Sequence, residues 1–74
     1  MLKYEVRLSA ADVKDFVRAA EEHEGDVDIS YNHCTIDAKS ILGILSMDLN
    51  RVLTVAFMGK DPQFEKALSR FSVA

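Results

Sequence analysis

The spacing of apolar residues limits the fold of this chain more than any other feature, because it switches repeatedly between two periods. In residues 4–8, apolar side chains alternate with charged ones, which is typical of a strand with one buried face. The next segment has apolar residues at i, i+3, i+4 and i+7, which predicts a helix of about four turns. This stripe consists of Val13, Phe16, Val17 and Ala20. The chain therefore mixes strands and helices within short distances.

Helix boundaries follow from the polar residues, glycines and proline between these segments. Ser9 and Asp12 have the spacing of a capping box, in which the serine hydroxyl accepts an early backbone N–H and the carboxylate accepts the serine N–H. Gly25 is a suitable stop for the first helix. Asp61 as N-cap and Pro62 at the first helical position begin the last helix.

The middle of the chain predicts a β-hairpin. Residues 27–31 and 34–36 alternate apolar and polar side chains. Asn32 and His33 between them suit a two-residue turn, because Asn, and less often His, tolerates a positive φ. On this alternation we expect Cys34 to be a small buried apolar residue.

A short helix and a further strand complete the pattern. Residues 41–45, preceded by Ser40 as N-cap, carry more apolar side chains than such a short helix can bury, so part of it should stay in water. Residues 52–57 alternate as the fourth strand, which Gly59 closes. The order βαββαβα predicts an α+β open-faced β-sandwich, with a four-stranded antiparallel sheet and three helices on one face. We expect one domain over residues 1–74.

The core of this sandwich should come from one face of the sheet and from the stripes of the two long helices. The residues predicted to be buried are Val6, Leu8, Phe16, Val17, Ala20, Val27, Ile29, Ile36, Leu53, Val55, Phe57, Ala67, Leu68 and Phe71. The other face of the sheet should be solvated, and it carries Glu5, Arg7, Asp28, Ser30 and Thr54.

Composition excludes several classes of protein. With 74 residues, a net charge of -3 and 49% apolar residues, the chain is neither disordered nor long enough for two cores. We find no membrane-length apolar run and no secretion signal, so we expect a cytoplasmic protein. The mild acidity argues against nucleic-acid binding, which would need clustered Lys and Arg on one face. Cys34 has no partner for an internal disulfide, and with His23 and His33 it makes an incomplete metal-ligand set. No cofactor is expected.

Residues 37–46 read Asp-Ala-Lys-Ser-Ile-Leu-Gly-Ile-Leu-Ser. They closely resemble the K-S-I-x-G-[ILV]-x-S segment of the HPr family, the small phosphocarriers of the bacterial sugar phosphotransferase system. The predicted order of elements is also that of the family, and residues 28–32 and 59–61 add weaker similarity. The resemblance extends from about Tyr4 to Phe71 and implies the HPr fold.

The resemblance also implies where the relay histidine of the family would lie. In an ungapped alignment back from the second strand, Ser9 takes the place of this histidine in the motif G-[IL]-H-A-R-P-A, Ala11 that of the arginine and Asp12 that of the proline. A phosphoserine ester is too stable to pass its phosphate onward, so we expect no phosphohistidine relay. His23, near the end of the first helix, and His33, at the hairpin tip, do not replace the missing group.

Ser40 matches the serine that an ATP-dependent HPr kinase phosphorylates in Gram-positive members, where the modified protein is a corepressor of a catabolite-control regulator. The resemblance therefore implies a regulatory phosphorylation site. Helix capping alone also explains a serine here, at about 1 kcal/mol for Ser40→Ala. A phosphate at Ser40 would meet the positive helix end and the charge of Lys39. The Crh subgroup lacks the relay histidine and keeps this serine, and the chain is similar in that respect but differs nearby, including at Ala11.

The same helix resembles the apolar patch with which family members bind their partners. Ile41, Leu42 and Leu45, together with Lys39, are the predicted docking residues, whereas Ile44 is expected in the core. Exposed apolar side chains on a small acidic protein also fit a homodimer.

Three functions stay open on the sequence. The first is a non-enzymatic regulatory or docking module of the phosphotransferase and catabolite-control systems, switched by phosphorylation of Ser40, with protein partners such as HPr kinase and without nucleic acid or membrane. The second is a phosphocarrier that uses an atypical residue. The third is a relative in fold alone with an unrelated binding role.

Overall fold

The computed structural model describes residues 1–73, which form a sheet of four strands and three helices in the predicted order βαββαβα. The elements are β1 (Leu2–Val6), α1 (Ala10–Glu22), β2 (Val27–Tyr31), β3 (Cys34–Asp37), α2 (Ile41–Leu45), β4 (Leu53–Phe57) and α3 (Pro62–Ser69). Among residues 1–73, none of the helices combines the length and the apolar character that a membrane span requires.

The sheet has the strand order β1-β4-β2-β3, with every neighbouring pair antiparallel. The first strand lies two residues earlier than the alternation at residues 4–8 predicts. The register gives the reason, since Val6 pairs with Leu53, the first residue of β4, and the ladder has no partner beyond that point. Leu8 is nevertheless buried, in the connection to α1.

The hairpin forms as predicted, with Asn32 at a φ of 51° in the turn between β2 and β3. The expectation for Cys34 is wrong, because this side chain is exposed. β3 is the outer strand of the sheet, and Cys34 lies at its hairpin end, where alternation alone does not ensure burial.

The hydrophobic core lies between one face of the sheet and the helices, and the predicted set is confirmed except at two positions. Ile36 is only half-buried because it belongs to the outer strand β3, and Ala67 is half-buried beside the groove between α1 and α3. Other buried hydrophobic residues are Val13, Ala38, Ile44, Met47 and Phe64. On the opposite face, Glu5, Arg7 and Asp28 are exposed, and Ser30 and Thr54 are half-exposed.

The end of the chain returns along β1. The N–H of Arg7 donates to the carbonyl of Phe71 at 2.9 Å, and the N–H of Val73 donates to the carbonyl of Glu5 at 3.2 Å. Val6 and Ser72 form a single antiparallel bridge between these bonds. Residues 71–73 therefore cover part of the β1 edge next to the start of α1.

Candidate functional site

Ser9 is the exposed N-cap of α1 and forms the predicted capping box with Asp12. Its hydroxyl accepts the N–H of Asp12 at 3.3 Å, and the carboxylate of Asp12 accepts the N–H of Ser9 at 3.0 Å. This second bond is the main reason why the pKa of Asp12 lies below its usual value, and the Ser9 hydroxyl and the charge of Arg70 add to the effect. The first turn of α1 thus holds a fixed negative charge beside the serine.

A shallow depression of about 350 Å³ adjoins this turn. Its lining residues are Arg7, Leu8, Ser9, Asp12, Leu49 and Asn50. The guanidinium of Arg7 donates to the carbonyl of Asn50 at 3.1 Å, which ties it to the segment between α2 and β4. Arg70 lies 3.7 Å from the carboxylate of Asp15. An anion that entered the depression would therefore meet a carboxylate beside cations that already have partners.

His23 lies at the opposite end of α1 from Ser9. As the C-cap of a 13-residue helix, it is separated from the first turn by about 20 Å of helix axis. Its Nδ1 is 2.8 Å from the Oδ2 of Asp61, and its ring packs against Phe57 and Phe64 at centroid distances of 5.1 and 5.4 Å. Only 6% of the residue is exposed.

The pair of His23 and Asp61 is an internal contact between α1 and α3. Because an ionised carboxylate only accepts hydrogen bonds, Nδ1 of the imidazole carries the proton. The other ring nitrogen, Nε2, is buried without a hydrogen-bond partner among residues 1–73. Asp61 also caps α3 by accepting the N–H of Phe64 at 3.1 Å, and the bond from His23, followed by this one, lowers the pKa of its carboxyl group. His23 is therefore a buried residue that packs against aromatic rings and joins α1 to α3 through Asp61.

His23 was predicted near the helix end, but its burial and its hydrogen bond with Asp61 were not predicted. The signal was present, since His23 continues the i, i+3 spacing of the stripe from Ala20 and Asp61 is the N-cap predicted for α3. His33, in contrast, is exposed at the hairpin turn, where it was expected.

Ser40 caps α2 as predicted. Its hydroxyl accepts the N–H of Gly43 at 3.1 Å, and the residue is half-buried. Gly43 is needed for this arrangement, because a Cβ there would lie 2.7 Å from the Cγ2 of Ile36 and 3.0 Å from the Ser40 hydroxyl oxygen. The motif thus places a glycine, Gly43, against the Ser40 side chain, where a larger residue would not fit.

Lys39, which was expected to contact partners, has internal hydrogen bonds in the structure. Its Nζ donates to the carbonyl of His23 at 3.1 Å and to that of Gly25 at 2.8 Å. α1 has no basic residue in its own last turn, and Lys39 instead places a cation just beyond its C-terminal end, on the carbonyls of the C-cap His23 and of Gly25. No local pattern around Lys39 indicates this long-range contact.

The other residues that were predicted to bind partners, Ile41, Leu42 and Leu45, are exposed on α2, and we call them the α2 patch. Ile41 is 41% exposed, Leu42 81% and Leu45 46%, whereas Ile44 on the same helix is fully buried as predicted. A helix of five residues turns only one side toward the sheet, so the other side chains remain in water. Within residues 1–73, no group of three or more His, Cys, Asp or Glu side chains is arranged to hold a metal ion.

Comparison with known proteins assigns the family. No curated protein matches the chain at a significant level. A family model described as the PTS HPr component phosphorylation site matches residues 2–73, which is almost the whole chain. Proteins of this family are phosphocarriers of the phosphotransferase system and not enzymes. The match, the order of elements and the antiparallel sheet agree, and the chain therefore belongs to the HPr family.

Proposed function

We propose that this HPr-family chain is a docking and regulatory protein of the phosphotransferase system that does not relay phosphate through a phosphohistidine. The observation that carries the proposal is the closed capping box of Ser9 and Asp12 at the start of α1, where the ungapped sequence resemblance would put the relay histidine. Membership in the family is consistent with a cytoplasmic protein that binds other proteins of that system.

The chemistry of this turn argues against relay. A carrier needs a labile P–N bond, whereas a phosphate on the Ser9 hydroxyl would be a stable ester. Modification would also disturb the bond from the N–H of Asp12 and would bring a dianion next to a carboxylate that is already ionised. Ala11 takes the place that the family gives to an arginine, so this turn also lacks a guanidinium fork for phosphate.

The histidines of the chain support the same view. The Nδ1 of His23 is bonded to Asp61, and its Nε2 is buried beside Phe57 and Phe64, so neither nitrogen is open to a phosphoryl donor. His33 is exposed, but it lies in a two-residue hairpin turn and not at a helix N-terminus, where backbone N–H groups would stabilise phosphate.

Incubation with phosphoenolpyruvate and the general kinase of the system tests the absence of relay. We expect no acid-labile phosphate on the chain. The variant that combines Ser9→His, Ala11→Arg and Asp12→Pro should gain an acid-labile label, which would show that the kinase does recognise this end of α1. A stoichiometric acid-labile label on the unsubstituted chain would refute the proposal and favour a phosphocarrier with an atypical site. The His33→Gln variant would then show whether the exposed histidine carries the label.

We further propose that phosphorylation of Ser40 regulates docking. Ser40 directly precedes the α2 patch, and its hydroxyl accepts a hydrogen bond from the N–H of Gly43. A phosphate here would add about −1.5 to −2 charges beside Ile41 and Leu42, which would change the affinity of an apolar surface for its partner.

The direct test is incubation with HPr kinase and ATP. We expect a mass increase of about 80 Da that Ser40→Ala abolishes. Ser46→Ala is the matched control, because Ser46 is an exposed serine at the other end of α2 whose hydroxyl donates to the carbonyl of Gly43 at 2.6 Å. An unchanged mass, or an increase that survives in Ser40→Ala, would remove the regulatory part of the proposal.

A further inference from the structure

Lys39 connects the residue before Ser40 to the far end of α1. Its side chain leaves the turn between β3 and α2 and bonds the carbonyls of His23 and Gly25 at 3.1 and 2.8 Å. The two carbonyls belong to the connection between α1 and β2, in which Gly25 has a φ of +92°. We call this contact the Lys39 strap.

We propose that the Lys39 strap transmits modification of Ser40 to the C-terminal end of α1. This inference rests on the proposed phosphorylation of Ser40. In the unmodified protein the ammonium group is shared by two neutral carbonyls. A phosphate on the adjacent residue competes for the same ammonium group, because ionic acceptors form stronger hydrogen bonds with a cation than neutral carbonyls do.

Release of the strap has a defined local consequence. α1 carries Glu21 and Glu22 in its last turn and has no basic residue there, so the carbonyls at this end lose their cation when Lys39 leaves. The imidazole of His23 stays in place, since Asp61, Phe57 and Phe64 hold the ring independently of its carbonyl. The backbone of residues 23–25 therefore responds while the ring does not.

Surroundings of Ser40 also favour a response through Lys39 over a movement of α2 as a whole. Ile44 is fully buried, and Gly43 lies against Ile36 and the Ser40 side chain so closely that a Cβ would not fit. These contacts hold the helix in place. The Lys39 side chain is the long, flexible group next to the phosphate, and its bond to the Gly25 carbonyl lies at the surface.

Nuclear magnetic resonance of the full chain tests the inference, with and without phosphate on Ser40. Phosphorylation should shift the carbonyl ¹³C signals of His23 and Gly25 and speed amide exchange in the last turn of α1 about two- to fivefold, while the ring signals of His23 stay unchanged. Lys39→Met keeps most of the apolar stem and removes the charge. Its unmodified form should already show the shifted carbonyls and the faster exchange, and phosphate should then add nothing at these positions.

Two results would contradict the proposal that the Lys39 strap transmits phosphorylation of Ser40 to the end of α1. In one, the phosphorylated protein keeps the His23 and Gly25 carbonyl signals of the unmodified protein. In the other, Lys39→Met responds to phosphate at these carbonyls as the unsubstituted chain does. Lys39→Gln provides the same comparison if Lys39→Met does not fold. Mass spectrometry separates these outcomes from failure of the underlying proposal, because a chain that gains no phosphate at Ser40 removes both.

Discussion

Gly43→Ala tests whether the start of α2 is packed as tightly as the structure indicates. The added methyl carbon would lie 2.7 Å from the Cγ2 of Ile36 and 3.0 Å from the hydroxyl oxygen of Ser40. Carbon atoms in good contact lie about 3.5–4.0 Å apart, so the first distance is too short by most of an ångström. The Ile36 side chain and α2 must therefore move apart, and Ser40 must also rotate, which weakens the hydrogen bond that its hydroxyl accepts from the N–H of Gly43.

The expected sign follows from three magnitudes. Replacing glycine by alanine inside a helix ordinarily stabilises it by about 0.8–1.0 kcal/mol. Forcing an extra carbon into a packed site costs about 1–3 kcal/mol, and a weakened serine cap costs about 0.5–1 kcal/mol more. The packing and capping costs together exceed the gain, so Gly43→Ala should lower the free energy of unfolding by about 0.5–3 kcal/mol. For a domain of this size, the Tm should fall by about 4–8 °C for each kcal/mol that is lost.

Urea unfolding followed by circular dichroism measures this change, and an unaltered m-value shows that the comparison is valid. The control is a double-mutant cycle with Ile36→Ala, which removes the nearest carbon. The two substitutions together should cost less than the sum of their separate effects, because the second relieves the contact that the first creates. A Gly43→Ala protein more stable than the unsubstituted chain would refute the reasoning, since helix propensity would then exceed the packing cost.

Three further predictions concern other parts of the molecule. The hydrogen bond from the Ser9 N–H lowers the pKa of Asp12 in the folded state. The ionised carboxylate therefore stabilises the folded protein above about pH 4, the pKa of an unfolded aspartate, and this stabilisation is lost as the pH falls through the lower pKa of the folded state. In urea unfolding, Asp12→Ala should therefore cost stability at neutral pH and little near pH 2, and an equal cost at both would contradict this. His23→Ala should lower the free energy of unfolding by about 2–4 kcal/mol, because it leaves a cavity and an unpaired carboxylate, and a loss below about 0.5 kcal/mol would show that the pair is not formed. Leu42→Ala should change the free energy of unfolding by less than about 0.5 kcal/mol but weaken binding to a phosphotransferase-system partner, measured by calorimetry. The control is Met58→Ala, which should keep full affinity because Met58 is 63% exposed but lies outside the α2 patch.

Much of the fold was predictable because the apolar period and the capping signals are local. The capping box of Ser9, the turn at Asn32 and the N-caps Ser40 and Asp61 each depend on residues within a few positions of one another, and each forms as expected. The exceptions among the strand residues depend on the neighbours of each strand in the sheet. Cys34 alternates correctly but lies on the outer strand, a position that one sequence does not reveal.

The candidate site divides in the same way. Exposure of Leu42 and burial of Ile44 followed from the small size of α2, which is a local property. The bonds of Lys39 to α1 and of His23 to Asp61 join residues 14 to 38 positions apart. Spacing along the chain indicates that His23 continues the buried stripe, but it does not identify the residue that His23 bonds. Lys39 was accordingly predicted to lie on a partner surface, although its ammonium group is bound within the protein.

Pairing of residues 71–73 with β1 restricts strand-edge aggregation on that side of the sheet. The free backbone groups of Glu5 and Arg7 are used by the returning chain and cannot template another molecule. The opposite edge, β3, is short, and the carbonyl of Asp37 there is bonded to the N–H of Ser40. Concentrated solutions of the protein should accordingly resist fibril formation. Removing residues 71–73 would expose the backbone groups of Glu5 and Arg7, to which another molecule could then pair along β1.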